Sequence, residues 1–379
     1  MTLSAPTAIV LVTLHARRSA QAVPLAAAGI AAALPEELRS RTRLIDMFPE
    51  ESDLESLRRI LAFKPALVAF SLYTWNRQRA LDLARKLRET DLGLFLTAGG
   101  PEATADADGV LEEGGLDAVI RGEGEISFRE LVCAFAAGSR PASPVPGVTL
   151  RTPEGIVRGP ERPPVDDLSA LPSAWLTGTV PECAEDGALW EIARGCPFAC
   201  DFCYDARGSR GVRCISQERL TAELDELIRR KVSQVWILDS TFNHPAQRGK
   251  KLLRLLAKKA SHIHFHLEAK AEFLDKETAT LLGRLSCSVQ VGLQSIHPKV
   301  LRHIHRSLDR DAFSRRIHLL AAEGVTYGLD LIYGLPGDDA QGFTESLDFA
   351  LKLAPNHLDV FPLAVLPGTP LHHRRAALG

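Results

Sequence analysis

The chain has 379 residues, of which 45% are apolar and 24% charged, a composition typical of a soluble globular protein. Its 45 basic and 47 acidic residues give a net charge of −2, so no nucleic-acid surface is predicted. The longest apolar run, residues 22–34, has 13 residues and contains Pro24, so it is too short to cross a bilayer. The length favours two or three domains, and seven scattered cysteines argue against a secreted disulfide scaffold. We therefore expect a cytoplasmic protein with no membrane partner.

Residues 1–140 alternate short apolar runs with stretches of helical period. The apolar runs AIVLVTL, ALVAFSL, LFLTAGG and DAVIRG occupy residues 8–14, 66–72, 94–100 and 117–122. Strands that alternate with helices predict a parallel sheet covered by helices on both faces. A ligand on such a sheet is expected at the carboxyl ends of its strands.

Residues 141–186 are rich in proline and turn residues, and they predict a linker with at most one short hairpin. The alternation of strands and helices returns over residues 187–379, with about six β/α units rather than the eight of a closed TIM barrel. A partial (β/α)6 barrel of TIM type is therefore predicted. Because the chain stops at Gly379 just after a predicted strand and turn, we expect a C-terminal element to be missing.

Three cysteines lie within eight residues, directly after the first predicted barrel strand: Cys196, Cys200 and Cys203. Three thiolates can bind three irons of a [4Fe–4S] cluster and leave the fourth iron open to another ligand. The carboxyl end of a barrel strand is also the usual place for barrel chemistry. A zinc site is the alternative, with Cys183, Cys214 or a histidine as fourth ligand, but zinc sites usually pair their cysteines as C-x2-C.

The segment CPFACDFC at residues 196–203 resembles the C-x3-C-x2-C signature of the radical S-adenosylmethionine (SAM) superfamily, with aromatic Phe202 before the last cysteine. The resemblance implies a [4Fe–4S] cluster whose free iron is chelated by the amino and carboxylate groups of SAM. It also implies cleavage of SAM to methionine and a 5′-deoxyadenosyl radical. The electron would come from a reductant such as flavodoxin or ferredoxin.

Polar residues on the later barrel strands resemble the SAM-contacting set of the oxygen-independent coproporphyrinogen oxidases. LDST at residues 238–241 ends the second barrel strand, where the radical SAM superfamily places polar groups against the methionine amine of SAM. The resemblance implies that Arg306 pairs with the SAM carboxylate, a task that suits a forked cation. The implied SAM-binding residues are Phe202, Ser240, Thr241, Glu268 (methionine or ribose portion), Gln294 and Asp330 (ribose hydroxyls), and Arg306. The alternative is a structural ion pair between Glu268 and Arg306 inside the barrel.

The N-terminal domain resembles the cobalamin-binding domain that precedes the barrel in cobalamin-dependent radical SAM enzymes. The resemblance covers about residues 60–135. It implies a Rossmann-like domain that binds cobalamin through Ser71, Tyr73, Trp75, Gly99, Gly100, Pro101, Gly122 and Glu123. Glycines at 99 and 100 are expected to leave space for the nucleotide tail. The Asp-x-His-x-x-Gly cobalamin signature is absent, because His15 is the only histidine before residue 240 and lacks that spacing. The alternative is a degenerate domain that binds nothing or only organises the substrate site.

We therefore predict a class B radical SAM methyltransferase that uses a [4Fe–4S] cluster, SAM and cobalamin to methylate an unactivated carbon. Its substrate is expected to be a small molecule or a peptide. One alternative is another radical reaction, such as the oxidative cyclisation of the anaerobic Mg-protoporphyrin ester cyclase family, which shares this layout. A second is a non-catalytic or sensory protein that binds cobalamin or the cluster. The remaining cysteines, Cys133, Cys183, Cys214 and Cys287, are predicted to be structural.

Overall fold

A computed structural model describes residues 8–138, 145–182, 187–205 and 211–378. The chain divides into two units, Met1–Ala184 and Glu185–Gly379, which we describe separately. Within the described ranges, no helix has both the length and the apolar character that a membrane span requires.

The first unit is built on a seven-stranded sheet. Its strands are β1 (Ile9–Leu14), β2 (Thr42–Met47), β3 (Leu67–Ser71), β4 (Phe95–Gly99), β5 (Ala118–Ile120), β6 (Val148–Thr152) and β7 (Gly155–Arg158). The strand order is β2-β1-β3-β4-β5-β6-β7, with β1 to β5 parallel and the last two strands antiparallel. The winding direction reverses between β1 and β3, and open α/β sheets bind their ligands at such a switch point.

Helices cover both faces of this sheet. They are α1 (Leu25–Ala33), α2 (Glu36–Arg39), α3 (Asp53–Leu61), α4 (Arg77–Thr90), α5 (Pro101–Ala105), α6 (Ala107–Gly114) and α7 (Gly124–Ala136). Strand β1 shows why both faces are apolar: Val10 and Val12 lie in the core with α3, α4 and α6, whereas Ile9 and Leu11 lie in the core with α1 and α7. A strand buried on both faces reads as an unbroken apolar run, so the sequence pattern identified it.

One strand of this sheet was not identified from the sequence, and the short hairpin predicted for the linker belongs to this sheet. Strand β2 has the sequence TRLIDM, in which only three of six residues are buried, because it lies at the edge of the sheet. Strands β6 and β7 form a hairpin inside the segment predicted as a linker, and β6 pairs with β5, so residues 148–158 belong to the first sheet. The predicted domain boundaries at residues 140 and 186 stay a prediction.

The second unit is an open parallel barrel. Its strands are β8 (Gly187–Glu191), β9 (Ala193–Arg194), β10 (Arg213–Cys214), β11 (Gln234–Leu238), β12 (His264–Ala269), β13 (Cys287–Gln294), β14 (Thr326–Tyr333) and β15 (His357–Pro362). Six of them form a sheet in the order β15-β14-β13-β12-β11-β8, and all neighbours are parallel. Strands β9 and β10 form a separate antiparallel pair. The predicted α/β fold, a parallel-sheet domain followed by a partial (β/α)6 barrel, is confirmed.

The barrel helices are α8 (Gln217–Arg229), α9 (Ala246–Lys259), α10 (Lys276–Leu282), α11 (Pro298–His303), α12 (Arg310–Ala322), α13 (Ala340–Lys352) and α14 (Pro370–Leu378). Side chains alternate between the two faces of strand β12. Phe265, Leu267 and Ala269 are buried, whereas the alternate residues His266 and Glu268 are more accessible. Helix α14 corrects the expectation that only a turn follows the last strand. Its sequence, PLHHRRAAL, has no apolar period, so nothing in the sequence pattern identified it.

Candidate active site

The three cysteines lie on the loop that follows β8 and β9. Gly195 has a φ of +88°, which lets the chain turn sharply just before Cys196. Cys196 and Cys200 are buried, and the Cys203 amide donates a hydrogen bond to the Cys200 carbonyl at 3.0 Å. Burial raises the pKa of the Cys196 thiol above its ordinary value. The loop therefore presents its thiols inside the protein rather than to bulk solvent.

These cysteines line a cavity of about 160 Å³ at the carboxyl ends of the barrel strands. Six of the seven predicted SAM-binding residues line the same cavity: Phe202, Ser240, Glu268, Gln294, Arg306 and Asp330. Thr241 does not; it is fully buried beside the cavity, and its carbonyl accepts a hydrogen bond from Arg248 at 2.9 Å. The structure thus brings the predicted set together around one space, while the role of each residue stays a prediction.

The ion-pair alternative for Glu268 and Arg306 is wrong for the described residues, because no salt bridge joins these two side chains there. Arg306 instead donates from Nη2 to the Gly292 carbonyl at 3.2 Å. Burial and the negative charges of Asp330 and Asp205 raise the pKa of Glu268. Both side chains are therefore available to a ligand in the cavity.

Six cavity residues were missed from the sequence: Phe198, Asp205, Ala269, Lys270, Gln290 and Gly292. The Lys270 ammonium lies 5.0 Å from the centre of the Phe198 ring, and its backbone is fixed by two hydrogen bonds with the Asn243 side chain, at 2.8 and 3.1 Å. Lys270 lies two residues beyond Glu268, so the period of two that places alternate residues on one face could have identified it.

Gln290 organises the acidic side of the cavity. Its amide nitrogen donates to Asp330 and, at 3.0 Å, to Asp359, and its amide oxygen is 2.6 Å from Nε2 of His357. These contacts join strands β13, β14 and β15 across the inner face of the barrel. They hold the Asp330 carboxylate in place beside Glu268.

The cavity perturbs its ionisable groups through burial. Burial, with Asp330 and Asp205 nearby, raises the pKa of Glu268 to about 7, although the side chain contacts solvent through the cavity. Burial also raises the pKa of Asp330. The pKa of Lys270 is lowered by burial and by the positive charge of Arg306. Groups with shifted pKa values cluster at functional sites, which supports the assignment of this cavity as the active site.

The fold holds Gln294 in a constrained conformation. It lies at a break in the register between β13 and β14, with a φ of +62°, a conformation that costs a non-glycine residue about 1–3 kcal/mol. Its amide oxygen is buried and has no hydrogen-bond partner among the described residues. Such strain and such an unsatisfied acceptor fit a residue that binds a hydroxyl-bearing ligand.

The donor set also fits an iron–sulfur cluster. The cavity lining contains three cysteines but, among the described residues, neither a fourth cysteine nor a histidine. Of the alternative zinc ligands, Cys214 is exposed on β10 and does not line the cavity, and Cys183 lies outside the described residues. Three ligands and an open position match a cluster that leaves one iron free.

The predicted cobalamin contacts lie at the carboxyl edge of the first sheet. Ser71 and Gly99 end β3 and β4, Gly100 precedes α5 and Pro101 begins it, Glu123 precedes α7, and Gly122 follows β5. These strand ends touch one another: the Leu72 amide donates to the Gly99 carbonyl at 2.8 Å, and the Gly122 amide to Thr104 Oγ1 at 3.0 Å. The ends of these strands therefore lie beside one another within this unit, and the roles of these residues stay a prediction.

Asn76 joins the strand ends at the switch point of this sheet, and no local pattern identified it. Its side-chain nitrogen donates to the carbonyls of Leu14 and Ser71, each at 3.0 Å, and so joins the ends of β1 and β3. Its side-chain oxygen accepts from the Tyr73 amide at 2.8 Å. The Tyr73 and Trp75 rings stack with centres 4.5 Å apart, and Trp75 is 61% exposed. An aromatic surface is thereby held at the edge of the sheet.

Three further residues named in the sequence analysis, His15, Glu123 and Cys287, make contacts within the protein. His15 Nε2 lies 2.6 Å from Asp46 Oδ1, and the His15 ring stacks on Phe48, so it is engaged at the end of β1. The Glu123 carboxylate accepts a hydrogen bond from the Val165 amide at 3.0 Å. Cys287 is buried, and burial raises the pKa of its thiol to about 12, as expected of a structural cysteine.

Gly100 and Gly99 differ in what a side chain would meet. A Cβ at Gly100 would lie 2.6 Å from the Leu72 carbonyl oxygen, and its φ is +112°, whereas a Cβ at Gly99 would meet Ile120 at 3.4 Å, an ordinary contact. We expect Gly100→Ala to lower the free energy of unfolding by about 1–3 kcal/mol, and Gly99→Ala to change it by less than about 1 kcal/mol. Equal denaturant midpoints for the two variants would contradict this. Gly100 is therefore required by the fold. Of these two glycines, Gly99 is the one at which a side chain could block a ligand without disturbing the fold.

Glu268 predicts a pH dependence of stability. Its pKa is about 7 in the folded chain against an ordinary 4.5, so its contribution to stability is present below pH 4.5 and is lost as the pH rises to about 7. Glu268→Gln cannot ionise and removes this loss. The urea midpoint of the wild type is therefore expected to fall relative to that of Glu268→Gln between about pH 5 and about pH 8. A difference between the two proteins that does not change with pH would contradict the raised pKa.

An open parallel barrel with three cysteines on its first loop and a polar cavity above its strands defines the radical SAM class of protein. Residues 190–350 match the radical SAM superfamily, and residues 12–132 match the B12 binding domain. The chain belongs to the radical SAM proteins that carry an N-terminal B12 binding domain, and the predicted family is confirmed.

Relatives and solved structures agree with this family. The cobalamin-dependent radical SAM methyltransferase TokK of Streptomyces tokunonensis is 28% identical over 330 residues, which cover 82% of this chain and 48% of TokK. The hopanoid C-3 methylase of Methylococcus capsulatus is 28% identical over 344 residues, which cover 87% of this chain and 64% of the methylase. This chain therefore spans between 48% and 64% of the length of these two relatives.

The fold is similar to that of the radical S-adenosylmethionine methyltransferase TsrM from Kitasatospora setae, solved with cobalamin and a [4Fe–4S] cluster bound. The TM-score is 0.79 at 19% identity, and the match covers 96% of this chain and 77% of TsrM. At this identity the likeness concerns the fold alone.

Proposed function

We propose that this chain is a cobalamin-dependent radical SAM methyltransferase that methylates an unactivated carbon of a small-molecule or peptide substrate. The observation that carries the proposal is the single cavity in which three loop cysteines meet Glu268, Gln294, Arg306 and Asp330. The names of TokK and the hopanoid C-3 methylase support methyl transfer rather than another radical reaction. An oxygen-sensitive cluster and its reductant, such as flavodoxin or ferredoxin, suit the cytoplasm, where we place the reaction.

Cys196, Cys200 and Cys203 would hold the [4Fe–4S] cluster, and the other cavity residues would hold SAM. Arg306, with Lys270 on the same side, offers two cations for the SAM carboxylate. Glu268 and Asp330 offer carboxylates to the ammonium and hydroxyl groups, and the unsatisfied amide oxygen of Gln294 offers an acceptor for a ribose hydroxyl. The cavity therefore contains a polar partner for each charged or hydroxyl group of SAM.

When bound, the cluster, SAM and cobalamin supply an electron, a radical that abstracts hydrogen, and a methyl group. The protein positions these groups and limits the access of water. Phe198 and Phe202 supply apolar walls beside the cysteines, and the buried loop shields the thiols. The raised pKa of Glu268 means that binding of a cation beside it would favour its ionised form and release a proton near neutral pH.

The first unit would bind cobalamin at the carboxyl edge of its sheet. Asn76 and the contacts among the strand ends make that edge rigid, and Trp75 presents an exposed ring there. The edge is formed by loops at a switch point, the usual ligand position in such sheets.

Trp75 gives a direct test of cobalamin binding. We expect wild-type protein to bind hydroxocobalamin, and Trp75→Ala to bind it about threefold to tenfold more weakly through loss of an aromatic contact. Leu92→Ala is the matched control, because Leu92 is 78% exposed but precedes β4, at the opposite edge of the sheet. Equilibrium binding followed by visible absorbance measures all three proteins. Absence of binding by wild-type protein would remove cobalamin from the proposal.

Product analysis tests the reaction itself. Anaerobically reconstituted protein with SAM, hydroxocobalamin, reductant and candidate substrates is expected to form both 5′-deoxyadenosine and S-adenosylhomocysteine, with the labelled SAM methyl group in the product. Formation of 5′-deoxyadenosine without S-adenosylhomocysteine would favour oxidative cyclisation or another radical reaction. Failure to cleave SAM, with the cluster intact, would favour a non-catalytic binding protein.

A further inference from the structure

Helix α14 contacts the cysteine loop at Asp201, the residue directly after Cys200. The Leu371 amide donates to the Asp201 carbonyl at 3.0 Å, and the Leu371 side chain is buried. One turn further along the helix, the Arg374 guanidinium forms an ion pair with the Asp201 carboxylate. The last described helix of the chain is thus tied to the cluster loop through both backbone and side chain.

Asp201 is a buried carboxylate with a second partner. Its side chain is 4% exposed, and His305 Nδ1 lies 2.6 Å from Asp201 Oδ1. The Asp201 amide also donates to the Ile304 carbonyl at 3.3 Å. A carboxylate buried to this extent is costly unless it is paired and hydrogen-bonded, so these contacts set where Asp201, and with it Cys200, can lie.

The same contacts join three loops at the carboxyl end of the barrel. Arg374 also donates from Nη2 to the His303 carbonyl at 3.0 Å, and His303 Nδ1 lies 2.8 Å from the carbonyl of Pro336, in the turn after β14. Residues 303–305 lead directly into Arg306, which lines the cavity. Arg374 therefore contacts the cysteine loop and the segment that carries Arg306 at the same time.

We propose that Asp201 and Arg374 are positioning residues, through which α14 holds the cysteine loop in the geometry that binds the cluster. The inference rests on the proposed function, because the cluster is what the loop is positioned for. Neither side chain lines the cavity, so both would act through Cys200, Cys203 and Arg306 rather than by touching SAM. Partners of this kind commonly change metal affinity by 10-fold to 100-fold when they are removed, as an order of magnitude.

The experiment compares Arg374→Ala with Arg374→Lys and with Arg375→Ala. Arg375 is the matched control, because its neighbours are the carbonyl and ring of His372 on the same helix. After anaerobic reconstitution, cluster absorbance is followed in excess chelator, and electron paramagnetic resonance spectra of the reduced cluster are recorded with and without SAM. We expect Arg374→Ala to lose its cluster about tenfold faster than wild type, with an altered spectrum. Arg374→Lys, which keeps the charge but not the fork, should be intermediate.

The outcomes separate this inference from the proposed function. If the wild type assembles no cluster, the proposed function fails. If the wild type holds a cluster and Arg374→Ala matches Arg375→Ala in both rate and spectrum, the positioning role is overturned. Should Arg374→Ala fail to fold, Asp201→Asn, which keeps the shape of the side chain, takes its place: faster cluster loss supports the role, and an unchanged rate overturns it.

Discussion

Replacement of Cys196, Cys200 or Cys203 by Ala is expected to abolish the [4Fe–4S] cluster. Each thiolate would be the protein ligand of one iron, so loss of one leaves two irons without a protein ligand. No other described side chain of the cavity is a cysteine or a histidine that could replace it. Wild-type protein should carry about four irons and four sulfides per chain after anaerobic reconstitution, and each variant close to none. Iron and sulfide analysis, with visible absorbance, measures this.

Cys287→Ala and Cys133→Ala are the controls for this experiment. Cys287 is buried against the Leu282 carbonyl at 3.5 Å, and Cys133 lies half-buried in α7 of the first unit, so neither lines the cavity. Both variants should keep a full cluster. Zinc without iron or sulfide in anaerobically prepared wild-type protein would instead support the zinc alternative, and a cluster that survives loss of one of the three cysteines would show that the ligand set is wrong.

Arg306→Ala is expected to weaken SAM binding by about 1.5–3 kcal/mol, or roughly 10-fold to 150-fold, because a carboxylate would lose a charge-assisted, forked partner. Arg306 lines the cavity, and among the described residues its side chain makes one hydrogen bond, to the Gly292 carbonyl, which leaves other donors of the guanidinium for a ligand. Equilibrium binding of SAM to cluster-loaded protein measures the effect. Arg306→Lys should recover part of it, because the charge remains while the fork is lost.

Arg310→Ala is the matched control. Arg310 lies at the start of α12 and, like Arg306, donates to a main-chain carbonyl, that of Ile296 at 3.1 Å, but it does not line the cavity. It should bind SAM as the wild type does. If Arg306→Ala binds SAM as tightly as the wild type while its cluster is intact, Arg306 does not pair with the SAM carboxylate. Lys270, which lines the same cavity, would then be the candidate cation for that carboxylate.

The sequence by itself predicted the class of fold and most of the residues that line the cavity. Strands buried on both faces, such as β1 and β3, read as unbroken apolar runs, so their order with the intervening helices predicted two parallel-sheet units. The cysteines are close in the chain, and Glu268 and Asp330 lie on strands whose neighbours are parallel. Because parallel strands bring their carboxyl ends to one edge, residues at those ends converge whatever the details of packing.

Tertiary structure alone decided the features that depend on contacts between distant segments. The β6–β7 hairpin joins the first sheet through pairing with β5, and Gly100 is required because the Leu72 backbone passes against it. The ion pair between Arg374 of α14 and Asp201 joins residues more than 150 positions apart. A local sequence pattern does not predict such a contact. Local periodicity reports which face of an element is buried, but not which distant segment buries it, and for that reason the support around the cysteine loop emerged only from the folded chain.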